Sequence, residues 1–137
     1  MGEKEDTEQI VKQLIHKGEE KLESSQILLN NNQFDDSISR SYYATYLVSK
    51  ALLLLLGSSP KTHSGTITML SLKAIKEGIL PETIGKDISQ LLEARQNSDY
   101  AVFTYYDNSD AQEFLKKAQK IVSAIKNVIR NKFELII

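Results

Sequence analysis

The chain has 137 residues, with 17 lysines and arginines against 18 aspartates and glutamates, a formal net charge of −1 and no cysteine. That length suits one domain with a core of its own, and the charge balance excludes whole-protein attraction to nucleic acid, so a phosphate has to be held by a local patch. Without cysteine, disulfides and thiolate metal sites are excluded, which fits a reducing cytoplasm; with only two histidines, no metal is expected.

The opening stretch, MGEKEDTEQ, is polar and acidic, unlike a secretory signal. The first predicted helix covers residues 7–30, where Val11, Leu14, Leu22, Leu28 and Leu29 recur with a helical period. Asn30-Asn31-Asn32 ends it, because asparagine side chains compete for backbone hydrogen bonds and tolerate left-handed geometry. The second helix, residues 34–56, is apolar on most sides from Ala44 onward, which predicts a place at the bundle centre. Gly57 suits the position just past its end. Its run Ala51–Leu56 falls far short of the roughly 20 apolar residues a membrane span requires, so no membrane partner is expected.

Thr62 is suited to cap a third helix over residues 63–77, closed by Gly78. Pro81 fits the first turn of the fourth, residues 81–100. An aromatic linker, Phe103–Asn108, follows. Ser109 with Gln112 has capping-box spacing and opens the fifth helix, whose Phe114, Ala118, Ile121, Ile125, Val128 and Ile129 form an apolar stripe. Lysines and arginines occupy its other faces, a solvated surface by default. Long helices with short joints favour antiparallel neighbours. The expected fold class is therefore all-α, an antiparallel up-and-down bundle of four to five helices.

Three groups of residues stand out against that pattern. On the second helix, Arg40 and Tyr43 are three apart and Tyr42 and Tyr46 four apart, so each pair shares a face. An interior guanidinium or phenol needs a partner. Asp36 and Asp99 are carboxylates of the right type, and an Arg–Asp–Tyr network would pin the second helix to the fourth. The functional reading instead sets Arg40 and Tyr43 on the floor of a polar cleft shared with Arg95 and His63. At the start of the third helix, Lys61, Thr62, His63 and Ser64 meet free backbone N–H groups and the positive end of the helix dipole, a place for one phosphate or carboxylate. A plain capping turn, with its imidazole bonded to a neighbouring helix, is the simpler alternative. On the fourth helix, Arg95 and Asp99 are four apart, which gives either an ion pair worth about 0.3–0.5 kcal/mol if exposed or a phosphate-binding pair. Phe103, Tyr105 and Tyr106 in the linker suit base stacking or a dimer interface, and the interface is preferred.

Taken in order, SISRSYYATYLVSKALLLLLG (Ser37–Gly57), KTHSG (Lys61–Gly65) and EARQNSDYAVF (Glu93–Phe103) resemble the HEPN family, small all-helical domains that include ribonuclease toxins and nucleotide-binding modules. The likeness is to the branch with paired tyrosines in its second helix, a Lys-Thr-His-Ser-Gly turn and an Arg…Asp-Tyr near the fourth. It covers roughly residues 8–130, and the chain, 1–137, reads as a single HEPN-like helical domain.

In the ribonuclease members of that family, an arginine is followed after four to six residues by a histidine, and two copies meet across a homodimer to form a metal-independent RNA-cleaving site. Histidine moves the 2′-hydroxyl proton while arginine steadies charge on the phosphate. Here Arg95 is followed by Gln96, Asn97, Ser98, Asp99 and Tyr100, with no histidine downstream. Tyr100 stands where the histidine would at the four-residue spacing, and a phenol, ionising near pH ~10, is a poor base at neutral pH. The resemblance therefore implies a homodimeric nucleotide- or RNA-binding module with no cofactor, using Arg40, Tyr43, Lys61, Thr62, His63, Ser64, Arg95 and Asp99. It further implies a small nucleotidyltransferase partner in a toxin–antitoxin-like system. One alternative is a ribonuclease using Arg95 with His63 or Tyr100 as catalytic residues. Another is a structural helical adaptor. What separates them is whether Arg40, His63 and Arg95 converge on one cleft open to solvent.

Overall fold

The computed structural model describes residues 2–102 and 105–137. Five α-helices follow one another: α1 (Glu3–Asn30), α2 (Phe34–Leu55), α3 (His63–Leu70), α4 (Glu82–Tyr100) and α5 (Asn108–Phe133). There is no strand among the described residues, and the all-α bundle expected from the periodicity is what the chain forms.

The second helix is central, touching α1, α3, α4 and α5. Its Tyr42, Val48, Leu52 and Leu53 are fully buried and meet Val11 and Ile15 of α1, Leu70 of α3, Ile84, Ile88 and Leu91 of α4, and Ile121, Ile125 and Ile129 of α5. Non-directional burial of this kind is the main force closing the bundle. A smaller cluster of Leu29, Ile38, Ala94, Ala111 and Leu115 seals another region.

Two features set how α1 lies on α2. A Cβ at Gly18 would stand 2.8 Å from Val48 Cγ1 and 3.2 Å from the Ala44 carbonyl oxygen, so the missing side chain permits the close approach. Further along, Ser25, Ser37 and Ser41 are fully buried. Ser25 Oγ donates to the Ser37 carbonyl at 2.8 Å, and Ser37 Oγ donates to the Ser25 carbonyl at 2.9 Å. With Ser25 so committed, Ser41 Oγ, 2.7 Å away, is left to donate to Ser25 Oγ. Every buried hydroxyl in the trio is thus partnered, and a shift of α1 along α2 would strand all three.

The helix boundaries depart from the periodicity in four places. The first helix starts at Glu3, where Glu3, Glu5 and Asp6 complement the dipole of its first turn. The third is α-helical only to Leu70; Ser71–Ile75 is a π-helical turn, with Lys76 N–H donating to the Ser71 carbonyl at 2.8 Å. Pro81 is the N-cap of α4, with extended backbone, rather than a first-turn residue. The capping box of α5 is Asp107 with Asp110, not Ser109 with Gln112. Asp107 accepts from Asp110 N–H at 2.9 Å, and Asp110 accepts from Asp107 N–H at 3.1 Å. Aspartate caps as well as serine does, so the helix begins at the earlier of two suitable residues. Thr62 caps α3 as the sequence indicated, accepting from Gly65 N–H at 2.9 Å. Asn32 adopts left-handed geometry after α1, with φ of 62°.

No helix among the described residues is long and apolar enough to cross a membrane.

Candidate functional site

Tyr42, Tyr43 and Tyr46 project from one turn of α2, the most buried helix, toward α3 and α4. Tyr42 is fully buried, while Tyr43 and Tyr46 are half-buried. A buried phenol needs a hydrogen-bond partner, and Tyr42 finds it across the α2–α3 joint: its hydroxyl lies 2.7 Å from His63 Nδ1. The Thr62 cap fixes where α3 begins and so delivers His63 to that place. The imidazole also stacks on Tyr46, with centroids 4.1 Å apart and planes 23° from parallel. Lys50 lies 5.5 Å from the centre of the Tyr46 ring.

From α4, Arg95 closes the group. Its Nη2 donates to the Tyr43 hydroxyl at 2.9 Å. Its guanidinium carbon sits 5.3 Å from the centre of the Tyr43 ring and 5.8 Å from those of Tyr42 and Tyr100. Arg95 Nε is 2.9 Å from Asp99 Oδ2, a charge contact one helical turn away, yet its N–H is not aimed at an acceptor among the described residues. The Arg95 side chain is only 15% exposed, so this ion pair is not the solvated surface pair for which a few tenths of a kcal/mol is typical.

Burial and neighbouring charge set the charge states. Burial pushes the Tyr42 phenol well above its ordinary pKa; Arg95 opposes, and Tyr46 and Tyr43 add to the rise. Tyr42 is therefore a protonated donor at any physiological pH. Burial, then Arg95 and Lys50, hold the His63 imidazole below its ordinary value, so it is neutral at neutral pH. A neutral imidazole that accepts at Nδ1 carries its proton on Nε2, so His63 presents an N–H donor on its other side. Burial works against the charge on Arg95, but Tyr43, Asp99, Tyr100 and Tyr42 outweigh it and the guanidinium stays cationic.

His63 and Arg95, 32 positions apart in the chain, thus meet around the Tyr42–Tyr43 pair. Arg40 does not join them. It is exposed on α2 and makes no ion pair with Asp36 or Asp99 among the described residues, so the cation on Tyr42 and Tyr43 comes from α4. The physical reason is helical phase: Arg40 lies on the side of α2 toward α1 and solvent, beside a groove that it shares with Tyr43 and Tyr46. Lys61 and Ser64 are exposed at the start of α3, and the Thr62 hydroxyl is occupied as the cap. Tyr100 is 72% exposed at the end of α4.

In the linker, Tyr105 is 82% exposed. Tyr106 turns inward instead: its hydroxyl accepts from Asn97 Nδ2 at 3.2 Å and its ring meets Phe114 edge-on. Phe103, grouped with these two in the sequence, lies outside the described residues. No group of three or more metal-ligating side chains occurs among the described residues.

The sequence pairs Tyr46 with Tyr42 on one face of α2 but not with His63, and Lys50 does not stand out in it. Spacing held a signal for both, since Tyr42, Tyr46 and Lys50 are successive i, i+4 neighbours on α2.

The all-helical bundle thus gathers paired tyrosines, a capping-turn histidine and a fourth-helix arginine at one place. A family model of the HEPN domain matches residues 11–128, and the chain belongs to the HEPN family. It is 31% identical over 125 residues to a Methanocaldococcus jannaschii protein named "Putative toxin MJ0605", covering 91% of this chain and 92% of that one. It is 35% identical over 106 residues to the UPF0332 protein PH1297 of Pyrococcus horikoshii, covering 77% and 71%. Among solved structures it is similar to TT1696 from Thermus thermophilus, with a TM-score of 0.73 at 18% identity over 86% of this chain and 97% of the other. It is also similar to ST0689, an archaeal HEPN homologue, with a TM-score of 0.70 at 22% identity over 87% and 97%. These two likenesses speak for the fold.

Proposed function

We propose that the chain is a binding module that holds a phosphate group of a nucleotide or RNA at Arg95 and His63. One observation carries this reading: a cationic guanidinium and a neutral imidazole, the latter with its Nε2–H turned away from Tyr42, are fixed side by side by neighbouring tyrosines, Tyr43 and Tyr42. Both are donors suited to phosphate oxygens, and preorganised donors bind without first having to be ordered. Tyr43 and Asp99 orient Arg95, while Lys61 and Ser64 stand at the exposed start of α3. Arg40 belongs to the adjoining groove. The module acts in the cytoplasm as a homodimer and as partner to a small nucleotidyltransferase in a toxin–antitoxin-like pair. The exposed Tyr100 against Arg95, with the exposed Val102 and Tyr105 after α4, favours a self-association surface, and the toxin names of the Methanocaldococcus jannaschii relatives favour the wider role.

The tautomer favours binding over cleavage. A general base must offer a lone pair, and the Nδ1 lone pair of His63 is taken by Tyr42. Tyr100 is close enough to Arg95 to share its charge but has no base of its own.

The test is thermal shift with ATP, GTP and a short RNA, alongside RNA cleavage, on the intact protein and Arg95→Ala. A nucleotide- or RNA-dependent shift lost in the variant, without cleavage, supports the module. Cleavage lost in Arg95→Ala supports the ribonuclease reading. An adaptor predicts a stability loss with no ligand shift in either protein, a reading favoured by the way Arg95 ties α4 to α2 through Tyr43.

A further inference from the structure

A groove of about 430 Å³ runs between α1 and α2, lined by Lys17, Glu20, Lys21, Arg40, Tyr43, Tyr46 and Leu47. It adjoins the Arg95–His63 site, sharing Tyr43 and Tyr46 with it, but contains neither Arg95 nor His63. We infer that this groove is a second subsite that takes the continuing sugar–phosphate backbone of a single-stranded nucleic acid whose first phosphate sits at Arg95. The inference rests on the reading of Arg95 and His63 as a phosphate site.

Three observations carry it. Lys17, Lys21 and Arg40 are the three cations on the lining, and none of them makes an ion pair among the described residues. Glu20 is the single acid there, and it lies 3.2 Å from His16 Nε2 on its own helix. The floor is Leu47 with two phenol rings, flat and apolar enough for a ribose or base, so cations at the rim and aromatic surface beneath match the two halves of a nucleotide. Finally, Tyr43 belongs to both subsites: its hydroxyl holds Arg95 while its side chain lines the groove, so one ligand can run from one to the other. The protein as a whole carries a net charge of −1, and this local excess of positive charge is where a polyanion would be drawn.

A mononucleotide fills one subsite and an oligonucleotide fills both, which gives the test. Anisotropy of labelled uridine monophosphate and of a short labelled oligouridylate is followed between about 50 and 200 mM salt, for the intact protein and for Lys17→Gln/Lys21→Gln, with thermal unfolding as the control for folding. The expected result is tighter binding of the oligonucleotide. Its salt slope should fall by about 1.4 in the double variant, ~0.7 for each lost phosphate contact, with the mononucleotide unaffected. An oligonucleotide bound no more tightly than the mononucleotide, or an unchanged slope, overturns the inference and leaves an Arg95-dependent mononucleotide site standing. Polyglutamate of matched length, bound as tightly and with the same lysine dependence, would also overturn it by showing a groove that reads charge alone. If neither nucleotide probe binds, the phosphate site falls and the groove falls with it.

Discussion

Tyr42 and His63 share a 2.7 Å hydrogen bond whose direction follows from satisfaction: the buried phenol keeps its proton, has no other acceptor among the described residues, and so donates to Nδ1. The residue that looks most available for acid–base work is thereby converted into a donor. Tyr42→Phe keeps the ring in the core but removes that constraint. It should cost about 1 kcal/mol of stability, the ordinary worth of one such bond. Nitrogen NMR of the imidazole should change from a single Nε2–H tautomer to a mixture, and an unchanged spectrum would contradict the assignment.

Acid should report on the same residue. His63 is held neutral in the fold by burial, Arg95 and Lys50, so the unfolded chain takes up the proton first as pH falls. The stability that His63 contributes is whole above the ordinary imidazole value of about 6.5, and it declines as pH drops from there to the lowered folded value. Melting followed from pH ~7.5 to ~5 should therefore show a larger loss for the intact protein than for His63→Gln. Parallel curves for the two would mean that His63 is as free in the fold as in the unfolded chain.

The buried serines separate a stranded partner from a missing bond. Ser25→Ala leaves the Ser41 hydroxyl without its acceptor and the Ser37 carbonyl without its donor, and should destabilise by about 1–3 kcal/mol. Replacing Ser25, Ser37 and Ser41 together by alanine removes donors and acceptors alike and should cost less than the single change. Chemical denaturation of the two variants decides it, and a triple variant weaker than the single one would refute this account of the α1–α2 register.

Two glycines make a paired test of close approach. At Gly18 an added Cβ meets Val48 Cγ1, a stiff branched side chain, and the Ala44 carbonyl behind it. At Gly85 it would come 2.5 Å from Ile75 Cδ1, the movable end of a longer side chain. Alanine gains about 1 kcal/mol of helix propensity over glycine at either site, while overpacking costs about 1–3 kcal/mol where the neighbour cannot move. Thermal or chemical unfolding should therefore find Gly18→Ala destabilised and Gly85→Ala neutral or stabilised.

The fold was largely legible because burial writes a helical period into the sequence: the α5 stripe and the apolar length of α2 each predicted their elements. Thr62 as the cap of α3 was legible for the same local reason. The site was half legible. His63 and Arg95 stood out by residue type, but which cation would join the tyrosines was a matter of helical phase between α2 and α4, which no local pattern encodes. Residue type and spacing thus set Arg40 either in an Arg–Asp–Tyr network or on a cleft floor shared with Arg95 and His63, whereas the structure turns it into the adjoining groove and puts Arg95 on Tyr43. The serine trio escaped notice because serines on a buried helix face announce nothing until the facing helix supplies Ser25. The π-helical turn over Ser71–Ile75 has no signal in its residue types.

The central claim is that Arg95 and His63 form one anion site made of donors. Binding of a short RNA to the intact protein, Arg95→Lys and His63→Ala tests it most directly, with melting temperatures measured on the same samples. Lysine keeps the charge but loses the planar fork that reaches Tyr43 and a ligand together. The account predicts that both variants remain folded while RNA affinity falls at least about tenfold, a loss of about 1.4 kcal/mol. Undiminished binding in both folded variants would contradict it.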